Sequence, residues 1–182
     1  MRHGETKYQA NGINILYSKK EQFSLPITKK AKNKIKKVAK SLKKEKIDFL
    51  FSSDYCRTKQ TASIVGKELG KKVFFDKRLR DTDFGIFSGK LDNGYKEYFS
   101  SKLQRFSKKS PRGESWRDVK KRMVDFIKEI DKKHKNKTIL IVGHADPLWL
   151  LAGFVKGLTE KKLLEKKNPK NLWPDLGQTI KL

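Results

Sequence analysis

Residues 138–144 read Thr-Ile-Leu-Ile-Val-Gly-His, a run of β-branched and aliphatic side chains that ends in glycine and histidine. A continuous apolar run of this length between charged segments is typical of a strand buried on both faces, as in a parallel sheet. The run therefore predicts a central strand over Thr138–Val142. Because ligands of parallel α/β sheets bind at the carboxyl ends of the strands, we expect His144 to lie at a functional site.

Helical and strand-like patterns alternate along the rest of the chain. Apolar residues at helical spacing between lysines predict an amphipathic helix over Thr28–Lys46, and the sequence Ser115-Trp116-Arg117-Asp118 has the form of a capping box that begins another helix. The alternation indicates an α/β fold with a mostly parallel sheet. The other predicted elements are strands at Ile47–Phe51 and Val73–Phe75, a loop at Arg78–Lys90, and helices from Asp54 to about Leu69, over Tyr95–Phe106, over Pro147–Val155 and near Glu160–Lys166.

Length and composition indicate one cytoplasmic domain. A chain of 182 residues builds one sizeable core, so residues 1–182 are predicted to form a single domain, with about 168–182 as a C-terminal tail or an edge strand at Gln178–Leu182. A single cysteine excludes an internal disulfide. No apolar run reaches the roughly 18 to 20 residues of a membrane span, and the N-terminus does not resemble a signal peptide. We therefore predict a cytoplasmic location and no membrane partner.

The formal net charge of +25 is compatible with a nucleic acid, an acidic partner or an anionic substrate. The lysines are spread over nearly every segment instead of forming one cluster. The simplest interpretation is a solvated lysine-rich surface, which speeds association with any anion without defining a site.

Two of the three histidines lie beside glycine where a strand is expected to end. His3 lies in the sequence Arg2-His3-Gly4-Glu5-Thr6, and His144 closes the strand described above. Arg57 is expected in the first turn of a helix, where free backbone N–H groups, the helix dipole and a bidentate guanidinium favour an anion. Together Arg2, His3, Arg57 and His144 are able to surround one phosphate.

Five motifs, in the same order along the chain, resemble those of the histidine phosphatase (phosphoglycerate-mutase-like) superfamily. They are Arg2–Glu5 for RHGE, Ser52–Ala62 for SS-x-x-x-R-T-x-Q-T-A, Leu79–Gly85 for L-x-E-x-x-F-G, Gly113–Ser115 for G-E-S, and Val142–His144 for the strand with the second histidine. RHGE alone is weak, but five ordered motifs that include the scarce histidines are specific. The resemblance covers nearly the whole chain and implies a three-layer α/β fold with helices on both faces of the sheet.

The resemblance also implies phosphotransfer without a metal or other cofactor, on a small phosphorylated substrate. Neutral His3 attacks phosphorus in line and forms a phosphohistidine. Water then hydrolyses this intermediate, or a second acceptor takes its phosphoryl group. Arg2, Arg57 and His144 spread the charge of the transferring phosphoryl group.

Asp81 falls where the family usually carries a glutamate, the acid that protonates the leaving oxygen. The side chain of aspartate is one methylene shorter than that of glutamate. Its backbone must therefore lie closer to the leaving oxygen. Asp83 is the neighbouring alternative, and a turn or capping carboxylate is the structural alternative for Asp81.

Other motif residues receive supporting roles from the resemblance. Glu5 is expected to brace the site by hydrogen bonding, and Gln9 stands where many members use an asparagine to hold the phosphate. The Gly113–Ser115 segment is expected to be a cap and loop. Cys56 is expected to be a small residue in the first turn of a helix, and His134, among charged residues, is expected to be solvated.

The chain departs from the family pattern at its start, because members carry an apolar strand before RHGE and this chain begins with Met1. The first strand is therefore predicted to be missing or truncated, and the chain to be a domain cut from a longer polypeptide.

The leading functional hypothesis is a phosphatase. A phosphoglycerate-mutase-type phosphotransferase is less favoured because the stretch between Gly89 and Gly113 is short for a segment that encloses substrate. A further alternative is a catalytically weak basic module that binds RNA or another polyanion, whose binding is expected to weaken steeply with salt.

Overall fold

The computed structural model describes residues 1–165 and 172–182. Its sheet has three parallel strands, β1 (Phe49–Ser52), β2 (Val73–Phe75) and β3 (Ile139–Val142), in the order β2-β1-β3. Leu50 of β1 is in register with Val73 of β2 and with Leu140 of β3. The predicted parallel sheet is confirmed, although β1 begins and ends later than the predicted Ile47–Phe51 strand.

The first residues of the chain continue the sheet beside β3. The Met1 amino group donates a hydrogen bond to Ile141 O over 2.7 Å, Gly143 N donates to Met1 O over 3.0 Å, and His3 N donates to Gly143 O over 3.1 Å. Arg2 forms a parallel bridge with Gly143. These contacts fix the backbone of His3 against β3.

Eight helices surround the sheet in the described residues. They are α1 (Lys7–Ala10), α2 (Lys19–Ser24), α3 (Lys29–Ser41), α4 (Cys56–Leu69), α5 (Asp92–Glu97), α6 (Trp116–Lys133), α7 (Ala145–Val155) and α8 (Glu160–Glu165), with 3-10 turns at Leu42–Glu45, Lys77–Leu79, Gly85–Phe87 and Leu103–Phe106. Of the predicted Glu160–Lys166 helix, the last residue lies outside the described part, as do residues 168–171 of the predicted tail.

Two hydrophobic clusters lie on opposite faces of the sheet, because successive strand residues point to opposite sides. Leu50 packs with Ile35 of α3 and Val65 of α4, whereas Phe51 packs with Phe126 of α6 and the residues of α7. The three-layer arrangement with helices on both faces is therefore confirmed.

Local signals account for the helices that position the site. Ser115 Oγ accepts from Asp118 N, and Asp118 Oδ2 accepts from Ser115 N over 2.8 Å, so the predicted capping box begins α6. Helix α4 ends at Gly70 in the left-handed conformation, with φ of 63°, which glycine adopts without steric cost. The residue before α4 is Tyr55, one position after the predicted Asp54.

Two predicted elements are wrong. The predicted Tyr95–Phe106 helix is replaced by α5, which ends at Glu97, and a separate 3-10 turn over Leu103–Phe106. Gln178–Leu182 forms no strand; Gln178 O accepts one hydrogen bond from Arg2 N over 3.0 Å.

Candidate active site

Side chains from distant parts of the sequence converge at the carboxyl edge of the sheet. His3 follows the residues paired with β3, His144 follows β3 itself, and Arg57 lies in the first turn of α4, after β1. The ring centroids of the two histidines are 5.4 Å apart. The carboxyl ends of parallel strands meet at one edge, which is where α/β folds place their sites.

His3 is 3% exposed, and both nitrogens of its ring are held. Nδ1 lies 2.8 Å from Gly4 O, and because a carbonyl oxygen only accepts, Nδ1 carries the proton. Arg57 Nε donates to Nε2 over 3.2 Å, so Nε2 presents its lone pair. Burial and then the positive charges of Arg57 and Arg2 lower the pKa of His3 well below its usual value. The ring is therefore neutral, the form that a nucleophile requires.

His144 is fully buried and has the opposite tautomer. Nδ1 accepts from Arg57 Nη2 over 3.0 Å, because a guanidinium only donates, and Nε2 donates to Ser53 Oγ over 2.9 Å. Burial, and then the charge of Arg57, lowers the pKa of His144 well below its usual value. Ser53, directly after β1, thus leaves Nδ1 of His144 as the acceptor that faces Arg57.

Arg57 is 0% exposed, and its guanidinium connects the two histidines to other side chains of the site. Besides the two histidines, its Nη1 donates to Gln22 Oε1 over 2.6 Å and its Nη2 to Asp81 Oδ2 over 2.9 Å. Burial lowers the pKa of Arg57, and the negative charge of Asp81 is the strongest opposing effect. A planar cation with donors on several edges is suited to the equatorial oxygens of a transferring phosphoryl group.

Gln22 is a site residue that sequence reasoning missed. It lies on the short helix α2, is 7% exposed and orients the guanidinium of Arg57. Its partner is 35 positions away in the sequence, and α2 is otherwise rich in charged residues, so no local pattern singles out this glutamine.

Asp81, the acid that the resemblance implies, contacts Arg57 and His144. Its Oδ2 is 3.6 Å from His144 Nδ1 as well as 2.9 Å from Arg57 Nη2, and its side chain is 20% exposed. Asp83, the alternative acid, caps a turn instead, since its Oδ1 accepts from Gly85 N over 2.9 Å. Of the two carboxylates, Asp81 is the one that contacts the residues of the site.

Arg122 of α6 fixes the loop that carries Asp81, and it too was missed. Its Nη1 donates to the carbonyl oxygens of Arg78 and Arg80 over 2.6 and 2.7 Å, and its Nη2 donates to Asp81 O over 3.0 Å. Glu114 pairs with Arg122 through Oε1 at 2.8 Å. The Gly113–Ser115 segment therefore caps α6 and anchors this loop, in agreement with the expected cap and loop.

Arg2 lies beside His3 with unused donor capacity. Its Nη1 is 3.5 Å from Pro174 O, and its buried Nε has no hydrogen-bond partner among the described residues. Burial lowers the pKa of Arg2, whereas the negative charges of Asp81 and Asp146 raise it. Since buried polar groups are normally paired, this donor is suited to a phosphate oxygen, the role that the resemblance implies.

Gln9 and Glu5 have contacts other than the expected ones. Gln9 Oε1 accepts from Thr6 N over 3.0 Å at the start of α1, which leaves only its amide nitrogen available for a phosphate. Glu5 accepts a hydrogen bond from Thr28 N through its backbone oxygen, over 2.8 Å, and its carboxylate has no hydrogen bond to a described residue. Phosphate binding by Gln9 and bracing by Glu5 thus stay predictions.

Two further residues lie outside the set of contacts around Arg57. Cys56 is the first residue of α4 and is half-buried. The expectation that His134 is solvated is wrong: it is half-buried, and its ring centroid lies 4.0 Å from that of Phe49, because the end of α6 lies against β1.

In residues 1–165 and 172–182, no three His, Cys, Asp or Glu side chains are grouped so as to hold a metal ion. No helix of this part of the chain is long and apolar enough to cross a bilayer.

The chain belongs to the histidine phosphatase superfamily (branch 1), whose family model matches residues 1–171. Phosphoserine phosphatase 1 of Hydrogenobacter thermophilus is 28% identical over 127 residues, which are 67% of this chain and 60% of that protein. A probable phosphoglycerate mutase of Cronobacter sakazakii is 29% identical over 163 residues, which are 87% of this chain and 74% of that protein. The chain thus spans less than two thirds of the first of these relatives.

Solved structures share the fold. The mycobacterial glucosyl-3-phosphoglycerate phosphatase has a TM-score of 0.75 at 22% identity and matches 89% of this chain and 80% of its own. The α-ribazole phosphatase of Shigella flexneri has a TM-score of 0.76 at 21% identity and matches 97% of this chain and 85% of its own. The phosphoglycerate-mutase-like α/β architecture predicted from the motifs is therefore confirmed.

Proposed function

We propose that this chain is a phosphatase that hydrolyses phosphate monoesters through a phosphohistidine on His3. The observation that carries the proposal is the state of His3: a neutral ring, protonated at Nδ1 toward Gly4 O, with the Nε2 lone pair against the Arg57 guanidinium. In-line phosphoryl transfer needs an oriented nucleophile whose attacking nitrogen, here Nε2, is unprotonated and lies beside a buried planar cation.

In the first step, the phosphate takes the donors of Arg57 and Arg2, and His3 Nε2 attacks phosphorus opposite the leaving oxygen. The N–P bond forms as the P–O bond to the leaving group breaks. The phosphate competes with Asp81 for Arg57, and the freed Asp81 carboxylate takes the proton of the incoming monoanionic ester and passes it to the leaving oxygen. His144, neutral and 3.0 Å from Arg57 Nη2, contributes to the polar environment of the phosphoryl group.

In the second step, water attacks the phosphohistidine on the side from which the alcohol has departed. Asp81, now a carboxylate, takes a proton from that water as the N–P bond breaks and Nε2 recovers its lone pair. Inorganic phosphate leaves with that proton, and Asp81 is again the carboxylate that pairs with Arg57. One difficult displacement is thus divided into two easier ones.

The names of the relatives support phosphoryl transfer but divide between phosphatases and mutases. We favour hydrolysis because residues 90–112, which contain α5 and the 3-10 turn at Leu103–Phe106, are few for a segment that has to enclose a substrate. A mutase must hold the leaving molecule long enough to return the phosphoryl group to it.

The proposal is tested by turnover of p-nitrophenyl phosphate in the presence of EDTA. We expect phosphate release that persists with EDTA, because the chain's own side chains supply the nucleophile and the charge stabilisation. Absence of turnover by folded protein, or its loss on chelation, would contradict the proposal.

Replacement of Asp81 by asparagine is expected to act selectively on poor leaving groups. Asparagine cannot donate an acidic proton, so kcat/KM for an alkyl phosphate should fall by about 10²- to 10⁴-fold. The loss for p-nitrophenyl phosphate should be small, because p-nitrophenolate departs without protonation. The measurement compares both substrates on the same folded variant.

Asp83→Asn is the matched control, since Asp83 is two residues away and its carboxylate caps a turn. We expect this variant to change both substrates alike. Equal losses on the two substrates in Asp81→Asn, or a selective loss in Asp83→Asn, would reject Asp81 as the acid.

A further inference from the structure

Strand β2 is an outer strand of the sheet, and one side of its backbone is free. In the described residues the strand order is β2-β1-β3, so β2 pairs only with β1. Phe75 is in register with Ser52 of β1, and Asp76 N donates to Ser52 O over 3.0 Å. In this parallel ladder, the N–H and C=O groups of Val73 and Phe75 point away from β1. They form no hydrogen bond with a residue of 1–165 or 172–182.

Aromatic side chains are exposed on both faces of this outer strand. Phe74 is 39% exposed and Phe75 is 49% exposed, and successive strand residues point to opposite faces. The ring centroid of Phe74 lies 5.5 Å from that of Phe51, on the face of the sheet that α6 covers. An apolar strand with a free backbone edge is a place where another extended segment can add to the sheet.

Three exposed lysines surround β2 and form no ion pair with a described carboxylate. They are Lys59 of α4, Lys72 before the strand and Lys77 after it. Lys59 Nζ lies 5.5 Å from the ring centroid of Phe75, and Lys72 Nζ lies 5.5 Å from that of Phe74. The positive charges therefore lie directly beside the exposed rings.

The carboxylates near β2 are already engaged with another cation. Asp76, the residue after the strand, pairs with Arg78 over 2.7 Å, and Glu129 of α6 pairs with the same guanidinium over 2.7 Å. They do not neutralise the three lysines by direct contact. The outer edge of the sheet thus carries an uncompensated positive charge.

This charge determines which kind of strand the edge accepts. A second copy of the chain brings the same lysines and a net charge of +25, and lysines on an outer strand discourage pairing between like chains. An acidic segment instead brings carboxylates to lysines that lack a described partner. RNA is also anionic, but it cannot form a backbone ladder with Val73 and Phe75.

We propose that β2 is a docking edge for an acidic, extended segment of a partner protein, which adds to the sheet as a further strand. The backbone of the segment pairs with the outward groups of Val73 and Phe75. Its apolar side chains pack against Phe74 on one face and Phe75 on the other, and its carboxylates lie against the lysines. This partner site is separate from the proposed phosphatase activity.

The test measures the affinity of three blocked heptapeptides for the whole chain by titration calorimetry. One alternates glutamate with valine, the second has proline in place of each valine, and the third has lysine in place of each glutamate. We expect the glutamate–valine peptide to bind about tenfold or more tightly than either of the others, because only it supplies both a β-ladder and the opposite charge. In its complex, hydrogen exchange of the Val73 and Phe75 amides should slow.

Variants of the protein separate the backbone contribution from the charge. Val73→Pro removes an outward N–H group and no bond to β1, so it should weaken binding of the glutamate–valine peptide by about three- to tenfold. Phe75→Ser should have an effect of similar size, and it serves as the backbone-neutral substitute if Val73→Pro does not fold. Phe23→Ser is the matched control, because Phe23 is 54% exposed but lies on α2.

Two triple variants lower the net charge equally but at different places. Replacing Lys59, Lys72 and Lys77 by glutamine should weaken binding about tenfold or more. The same replacement of Lys36, Lys37 and Lys40, exposed residues of α3, should change it less than about twofold. Equal losses in the two triple variants, equal affinities of the three peptides, or unchanged exchange of the Val73 and Phe75 amides would overturn the proposal. Displacement of the peptide by a tighter-binding uridine oligomer would also overturn it, and would mark the edge as a nucleic-acid surface.

Discussion

Replacement of His3 by asparagine is expected to reduce turnover of every phosphate ester by about 10³-fold or more, since the nucleophile is lost. Asparagine is chosen because its amide nitrogen can take the place of His3 Nδ1 and donate to Gly4 O, which preserves the local backbone contact. It has no lone pair at the position of Nε2. The measurement is phosphate release by folded variant, with folding checked by thermal unfolding.

His134→Gln is the control for this substitution. His134 stacks on Phe49 at the end of α6, away from the contacts around Arg57, so its loss should leave turnover per folded molecule within about twofold. Retention of more than about a tenth of the turnover in His3→Asn would show that another group is the nucleophile.

Replacement of Arg57 by lysine is expected to remove most of the activity, by about 10²-fold or more, although the charge is kept. Arg57 reaches His3, Gln22, Asp81 and His144 with different nitrogens, and a single ammonium group cannot span these positions. A lysine must also be desolvated in a position where the arginine is 0% exposed. The measurement is kcat/KM for p-nitrophenyl phosphate and for an alkyl phosphate.

Arg117→Lys provides the matched exchange at the surface, where the guanidinium forms a two-point contact with Glu160 at 2.7 and 2.9 Å. It should change neither kcat nor KM. Near-normal turnover of Arg57→Lys would remove Arg57 from the transferring phosphoryl group. If Arg57→Lys does not fold, Gln22→Leu offers a milder disturbance of the same guanidinium and should lower kcat more than it raises KM.

The sequence predicts the fold well where a local pattern and its tertiary setting agree. The apolar run before His144 forms a strand, the capping box at Ser115 begins α6, and Gly70 ends α4. These features depend on residues close together in the chain, so they can be recognised without knowledge of the packing. The candidate catalytic residues were proposed for a different reason, namely that the ordered motifs that contain them resemble those of a family.

Features that depend on distant contacts were not predicted. Gln22 and Arg122 act through partners 35 and 41 or more positions away, and neither lies in a pattern that marks it. The predicted Tyr95–Phe106 helix was wrong as well, since α5 ends at Glu97 and the 3-10 turn at Leu103–Phe106 is separate from it.

The most direct test of the central claim is the chemical stability of the phosphoryl group on the enzyme. The protein is mixed with a phosphate ester, stopped within milliseconds, and analysed by mass spectrometry after digestion. The account predicts phosphate on His3 that is lost in acid and survives in alkali, as expected of an N–P bond, and no such species in His3→Asn. Phosphate that survives acid and is lost in alkali, or phosphate on another residue, would contradict the account.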